Sequence, residues 1–132
     1  MPIGIDTNVL LRYVMQDDER QSRLAAKLIE SLDTGNPGFI SLVSLAEFYW
    51  VLDHTYKLSS DQIIIALEGL VTSDSLILED ETRVQRALDL YRNGGADFDD
   101  CLIAETASIA GCRTIFTFDK STAKYGIMQL LT

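Results

Sequence analysis

Apolar side chains recur at intervals of three and four residues in several stretches of the chain, and this spacing is typical of amphipathic helices. The clearest stretch begins at Glu19, where Leu24, Leu28 and Leu32 would share one helix face. The segment Ser44-Leu45-Ala46-Glu47 matches a capping box in front of a further apolar stretch. The pattern predicts six helices. Four begin at Val9, Glu19, Ser44 and Ser59, and a fifth begins around residue 84. The sixth begins at Asp97 and ends at Gly111.

Short apolar runs that end at polar residues predict strands, which lie at 2–5, 39–40, 76–78, 114–117 and 127–129. The run Leu76-Ile77-Leu78 has no polar member and predicts a buried strand. Short apolar strands that alternate with longer helices predict an α/β fold with a mostly parallel sheet covered on both faces. Because no repeat, linker or low-complexity stretch interrupts the chain, we expect a single domain over residues 1–132.

The composition limits the possible functions. Of the 132 residues 47% are apolar, which excludes intrinsic disorder, and no apolar run is long enough to span a bilayer. The N-terminus lacks the basic flank and apolar region of a signal peptide, so we expect a cytoplasmic protein with no membrane association. The net charge of −9 argues against unspecific nucleic-acid binding, although carboxylates at a metal site contribute to such a total. Cys101 and Cys112 lack the spacing of a disulfide framework or a zinc site, and we expect both to be reduced, buried and inert.

Five acidic residues lie next to predicted strand ends or helix starts. Asp6 follows the first strand and Asp119 follows the strand at 114–117, whereas Glu47, Asp97 and Asp100 lie in first turns of helices. Open parallel sheets bind ligands outside the carboxyl ends of their strands, so Asp6 and Asp119 are expected at that edge. Helices packed on the sheet can direct Glu47 and Asp100 toward the same crevice.

Each acid also has a structural explanation, because carboxylates are favoured at helix N-termini. Taken singly, Glu47 with Ser44 and Asp100 with Asp97 are better explained as capping boxes. Taken together, converging carboxylates would repel one another, and a hard divalent cation resolves that repulsion. Such a site suits phosphodiester hydrolysis with one or two Mg²⁺ or Mn²⁺ ions. The only histidine, His54, lies within a predicted helix and is not expected to act as a base.

Four sequence blocks carry a resemblance to a known family, and they are IDTNVLL (5–11), SLAE (44–47), ADFDDCLIA (96–104) and TFD (117–119). In this order and spacing they resemble the PIN-domain family, and more narrowly the VapC-type toxin ribonucleases of toxin–antitoxin pairs. The resemblance covers essentially the whole chain. It implies a three-layer α/β/α sandwich around a mostly parallel sheet, dependence on Mg²⁺ or Mn²⁺, and endoribonuclease activity on single-stranded RNA.

The resemblance also implies the catalytic and metal-binding carboxylates, which are Asp6, Glu47, Asp100 and Asp119. Asp97 is a further metal ligand, because it often accompanies these acids in relatives with an Asp-Phe-x-Asp stretch. Helical spacing places Asp97 and Asp100 on one face and turns Asp99 away, so Asp100 ranks first and Asp99 last.

Three polar residues are expected to support these ligands. Thr7 and Thr117 would orient carboxylates or a bound water, and Asn8 would brace the loop after the first strand. Helix capping or strand-end hydrogen bonding explains all three equally well.

Toxins of this type form homodimers and are inhibited by a small antitoxin, whose tail enters the active-site groove and whose other part binds operator DNA. An acidic toxin would suit a tail that offers Arg or Lys. The stretch Phe48-Tyr49-Trp50-Val51-Leu52 holds more aromatic bulk than one helix face usually buries. Part of it, with Leu10-Leu11 and Tyr13, is a hypothetical dimer or antitoxin surface, although core packing is the favoured reading for Trp50.

Three other functions stay open. One is a housekeeping PIN nuclease of RNA maturation. The others are a non-catalytic regulator that resembles a phospho-acceptor receiver domain and a degenerate PIN domain that binds RNA or protein without cutting. A receiver needs an acid pair after its first strand and a lysine near its last strand. Here Thr7 follows Asp6 and Lys120 directly follows Asp119, so that match is poor. The presence of all the expected acids argues against the degenerate domain.

Overall fold

The fold is known from a computed structural model that describes residues 1–132. The chain divides into two compact units, Met1–Glu81 and Thr82–Thr132. All strand pairs are parallel and helices supply most of the regular structure, so the predicted α/β class is confirmed. The single domain expected over residues 1–132 stays a prediction. No helix is both long enough and apolar enough to cross a membrane.

The first unit contains a three-stranded sheet and four helices. Its strands are β1 (Ile3–Gly4), β2 (Gly38–Ile40) and β3 (Leu76–Leu78), in the order β1-β2-β3. Its helices are α1 (Thr7–Met15), α2 (Glu19–Glu30), α3 (Leu42–His54) and α4 (Ser60–Thr72). Each predicted helix and strand of this region is present, so the periodicity of the apolar residues located the elements correctly.

The core of the first unit lies between one face of the sheet and the helices. Ile40 and Leu78 are buried on that face. A Cβ atom on Gly38 would approach the Leu32 side chain to 2.9 Å, so the segment that follows α2 packs directly on β2. Phe39 and Ile77 pair across the opposite face, and Ile77 is 44% exposed. The prediction of a buried third strand is therefore wrong for Ile77, because alternate strand residues point to opposite faces.

The aromatic stretch of α3 is split between core and surface. Phe48, Tyr49 and Leu52 are buried, as are Leu10 and Leu11 of α1, whereas Trp50 is 49% exposed. Burial removes those five residues from the hypothetical dimer or antitoxin surface. The prediction that Trp50 packs in the core is wrong, because its position on the helix faces away from the buried residues.

The helix starts differ from the predicted ones. Helix α1 begins at Thr7, two residues before Val9, and α3 begins at Leu42. The Ser41 hydroxyl caps α3 by accepting a hydrogen bond from the Ser44 amide at 3.1 Å, and a Glu79 carboxylate oxygen accepts from the Leu42 amide at 2.9 Å.

The predicted capping box of Ser44 and Glu47 is therefore wrong. Ser44 lies at the third helical position, and Glu47 lies in the second turn rather than the first. A carboxylate so far along the helix cannot reach the amides at its start. The competing structural explanation for Glu47 is thereby removed.

The second unit contains α5 (Glu81–Gly94), α6 (Phe98–Ile109), β4 (Phe116–Thr117), α7 (Lys120–Lys124) and β5 (Gln129–Leu130), with β4 paired to β5. Gly111 ends α6 as predicted. It adopts φ of 83° and its amide donates to the Ser108 carbonyl at 3.0 Å. The strand predicted at 114–117 is shorter than expected, because β4 covers only its last two residues. The last strand begins two residues later than predicted, and α7 was not predicted.

The core of the second unit is formed by α5 and α6. Val84, Leu88 and Phe98 are buried, and Tyr91 packs edge-on against Phe98 with ring centroids 6.1 Å apart. Cys101 is buried as predicted, on the apolar face of α6.

Cys112 is exposed, so the prediction that it is buried is wrong. It follows Gly111, beyond the end of α6, where no helix face holds it in the core.

Candidate metal centre

Asp6 is the N-cap residue of α1. Its backbone is extended and its carbonyl accepts from the Val9 amide at 3.1 Å, but its side chain makes no capping hydrogen bond and is exposed. The Asp6 carboxylate therefore does not cap α1, which was the structural explanation for an acid at this position. That carboxylate lies just beyond the carboxyl end of β1, where parallel sheets bind ligands.

Thr7 connects the start of α1 with α3. Its side chain is 7% exposed, and its hydroxyl lies 3.4 Å from both the Ser44 carbonyl and a Glu47 carboxylate oxygen. One hydroxyl hydrogen is shared between these two acceptors. Helix α3 directly follows β2, the strand that pairs with β1. Thr7, the residue next to Asp6, therefore orients the Glu47 carboxylate on the helix that follows the neighbouring strand.

The neighbouring Asn8 has an exposed side chain without a hydrogen bond. Nothing in the structure supports the bracing role predicted for it.

Three aspartates lie at the start of α6 in the second unit. Asp97 is the N-cap residue but its side chain makes no capping hydrogen bond. One carboxylate oxygen from each of Asp97, Asp99 and Asp100 lies within 4.8 Å of the other two. The expectation that Asp99 is turned away is therefore corrected. Helix position alone misplaced it, because its carboxylate folds back to accept the Asp100 amide at 2.9 Å.

The aspartate cluster of Asp97, Asp99 and Asp100 is electrostatically unfavourable by itself. Burial, followed by the charges of Asp100 and Asp97, raises the pKa of Asp99. Burial likewise raises the pKa of Asp100, with smaller contributions from Asp97 and Asp119. No lysine or arginine forms an ion pair with these aspartates. A bound cation would supply the missing positive charge.

Asp119 is the N-cap residue of α7, as the structural explanation requires. Its Oδ1 accepts from the Ser121 hydroxyl at 2.6 Å and from the Ser121 amide at 2.9 Å. These hydrogen bonds, the hydroxyl above all, lower the pKa of Asp119. The Thr117 hydroxyl accepts from the Asp119 amide at 3.0 Å and so fixes the backbone of Asp119, two residues after β4. Oδ1 is therefore the oxygen that caps α7.

Thr122 connects α7 with the aspartate cluster and was missed by the sequence reasoning. It is 6% exposed, and its hydroxyl donates to Asp100 Oδ2 at 3.2 Å. The signal that could have located it is the run Asp119-Lys120-Ser121-Thr122, in which an acid followed by hydroxyl residues is typical of a helix start. Thr122 holds Asp100 much as Thr7 holds Glu47.

The chemistry of these donors fits a hard divalent cation. The candidate ligands are all carboxylates, namely Asp6 and Glu47 in the first unit and the aspartate cluster and Asp119 in the second, so every donor atom is an oxygen. Mg²⁺ and Mn²⁺ prefer such ligands, whereas sites for softer metals contain sulfur or imidazole. Cys101 lies beside the aspartate cluster, but burial raises its pKa to about 12, and it stays a neutral thiol.

Comparison with known proteins agrees with the resemblance seen in the sequence. A family model described as the PIN domain matches residues 3–127. A VapC ribonuclease from Aquifex aeolicus (strain VF5) is 24% identical over 122 residues, which are 92% of this chain and 90% of the relative. The residues matched by the family model include every candidate carboxylate, from Asp6 to Asp119.

Proposed function

Because the chain belongs to the PIN-domain family, we propose that it is a metal-dependent endoribonuclease that hydrolyses single-stranded RNA. The observation that carries this proposal is the aspartate cluster, whose carboxylates crowd together at one helix start without a basic partner. Unpaired carboxylates are costly to bring together unless they bind a cation. The likeness to a protein named VapC ribonuclease supports RNA as the substrate.

We assign as metal ligands the carboxylates that the family resemblance implies. Asp6, Glu47, Asp100 and Asp119 would bind Mg²⁺ or Mn²⁺, with Asp97 as a further ligand. The bound ion would activate the attacking water and stabilise the departing oxygen. The hydroxyl groups of Thr7 and Thr122 keep their carboxylate partners oriented for that task.

The biological role that we propose is the toxin of a type II toxin–antitoxin pair in the cytoplasm. The support is the named relative together with the family model, which matches residues 3–127. The net charge of −9 suits an antitoxin tail that offers Arg or Lys. We further propose a homodimer, and a mass of twice 14.7 kDa by light scattering is the expected result.

RNA cleavage with and without metal tests the proposed activity. Purified protein is incubated with single-stranded RNA in Mg²⁺, Mn²⁺ or EDTA, beside Asp6→Asn and the matched control Asp74→Asn. Asp74 is an exposed acid of the first unit without a hydrogen bond or ion pair. We expect Asp6→Asn to lose more than about 100-fold in rate, since even partners that only orient metal ligands are worth about 10- to 100-fold.

The control should cut like the wild type, and EDTA should stop cleavage. Cutting that persists in EDTA, or that survives Asp6→Asn in a folded protein, would contradict the proposal.

A further inference from the structure

One side of α3 presents a stripe of exposed residues, Val43, Glu47, Trp50 and His54, which we call the α3 stripe. These residues are spaced by four, three and four positions, so they lie above one another on the helix surface. Val43 is 71% exposed and Trp50 is 49% exposed. A candidate metal ligand therefore shares its helix face with the only tryptophan of the chain.

The Trp50 ring is held in place by His54. The two rings are stacked, with centroids 4.5 Å apart and an interplanar angle of 11°. The Nδ1 atom of His54 lies 3.2 Å from the Trp50 carbonyl oxygen and 3.4 Å from a carboxylate oxygen of Asp53. Both neighbours are acceptors, so a hydrogen on Nδ1 would be donated to them and would hold the imidazole against the indole.

We propose that the Trp50–His54 pair binds an unstacked base of single-stranded RNA, one helical turn away from Glu47. This inference rests on the proposed function, because it makes the pair a subsite for the strand that is cut. Proteins that bind single strands stack bases on aromatic rings, and such stacking tolerates any base. An immobilised ring loses little conformational entropy when a base stacks on it.

The negative net charge opposes binding through phosphate groups, which leaves base stacking as the contact for a single strand. With 11 basic and 20 acidic residues, the chain has few cations with which to bind phosphate groups. Stacking does not depend on net charge, so it can hold RNA on an acidic protein.

A ligand fits the α3 stripe better than a second copy of the chain does. Glu47 lies only three residues from Trp50, so a protein that covered the indole would also cover the Glu47 carboxylate. A second copy seated there would keep RNA from Glu47, which the proposed function requires to be accessible. A nucleotide covers a smaller area, and it leaves Glu47 accessible.

Tryptophan fluorescence tests this subsite directly, because Trp50 is the only source of indole emission. The full chain is titrated with a short oligouridylate in EDTA, which prevents cutting, and with a matched oligomer that lacks its bases. We expect saturable quenching by oligouridylate and none by the abasic oligomer. Equal effects of both oligomers, or no quenching, would overturn the proposal.

Variants measure what the stacking contributes. Trp50→Leu keeps apolar bulk but removes the ring, so the Kd for labelled oligouridylate should rise roughly 5- to 100-fold, and Trp50→Phe should give a smaller rise. The control is Ile65→Ala, which shortens an exposed apolar side chain of α4 and should leave the Kd unchanged. Thermal unfolding checks that each variant is folded. An unchanged Kd for folded Trp50→Leu would overturn the proposal.

Failure of this inference is distinguishable from failure of the proposed nuclease. Quenching and a raised Kd in a protein that never cuts RNA would support the base subsite and reject the nuclease. Cutting by the wild type with an unchanged KM for Trp50→Leu would reject the subsite alone. If Trp50→Leu halves the mass in light scattering and leaves RNA affinity unaltered, Trp50 contacts a second copy and the subsite is rejected.

Discussion

At the residue scale, two threonine hydroxyls orient candidate metal ligands. Thr7 donates toward Glu47 and Thr122 toward Asp100, and both side chains are buried. Only the threonine at position 7 had been expected from the sequence. Position 122 depends on a contact between residues 22 positions apart, which no local pattern contains.

Removing either hydroxyl should weaken metal binding more than it weakens the fold. Thr7→Val and Thr122→Val keep the side-chain shape, so we expect the apparent Mn²⁺ affinity to fall about tenfold, since partners of ligands are worth about 10- to 100-fold. The Thr7 bond is long, at 3.4 Å, which favours the lower figure. Calorimetric titration measures the affinity. Thr72→Val is the control, because its hydroxyl bonds only within α4; a loss as large in that variant would contradict the orienting role.

A second contact at the residue scale predicts a pH dependence of stability. The Tyr56 hydroxyl donates to Asp17 Oδ2 at 2.5 Å, and this bond lowers the pKa of Asp17 below its ordinary value of 3.8. A carboxyl with a lowered folded-state pKa stabilises the fold above its unfolded pKa. That contribution is lost as the pH falls through the folded pKa.

Tyr56→Phe should therefore lower the free energy of unfolding at neutral pH, and the difference from wild type should shrink as the pH falls below the ordinary Asp pKa of 3.8. Urea unfolding at a series of pH values measures this difference. Tyr13→Phe is the control, because its hydroxyl makes no hydrogen bond. A difference that stays constant over the pH range would show that Asp17 is not the partner.

The start of α3 shows at the element scale how a local pattern can mislead. Ser41 and Ser44 are both good capping residues, and the sequence favoured Ser44 because Glu47 follows at capping-box spacing. The structure uses Ser41, and Glu79 at the end of β3 satisfies the first helical amide. A tertiary contact therefore decided between two equivalent local signals.

The two serines give a direct test of that helix start. Ser41→Ala should lower the free energy of unfolding by about 1 kcal/mol, since it removes the cap. Ser44→Ala should cost much less, because its hydroxyl is not the capping group. Chemical denaturation measures both. A larger loss for Ser44→Ala would restore the capping box predicted from the sequence.

Element length explains which other predictions succeeded. Helices of nine or more residues were all located, because their apolar period is repeated several times. Helix α7 has five residues and was missed, since so short a stretch holds little more than one turn. The two-residue strands β4 and β5 were found but misjudged in length or position, because their bounds depend on pairing with each other.

At the scale of the whole molecule, the candidate acids are divided between two compact units. Asp6 and Glu47 belong to the first unit, and the aspartate cluster and Asp119 to the second. The sequence located these acids because strand ends and helix starts are local features. It did not predict how Asp99 folds back, since that depends on a side-chain hydrogen bond. That these acids bind a metal ion is the central claim of the proposed function.

Calorimetric titration with Mn²⁺ tests that claim most directly. The proteins compared are the wild type, Asp6→Asn from the first unit, Asp100→Asn from the second, and the control Asp74→Asn. We predict that wild type and control bind alike, and that each of the other two loses more than about 100-fold in affinity, because each lacks a direct ligand. Loss in Asp100→Asn with unchanged binding in Asp6→Asn would mean that Asp6 is not a ligand, and would contradict the claim.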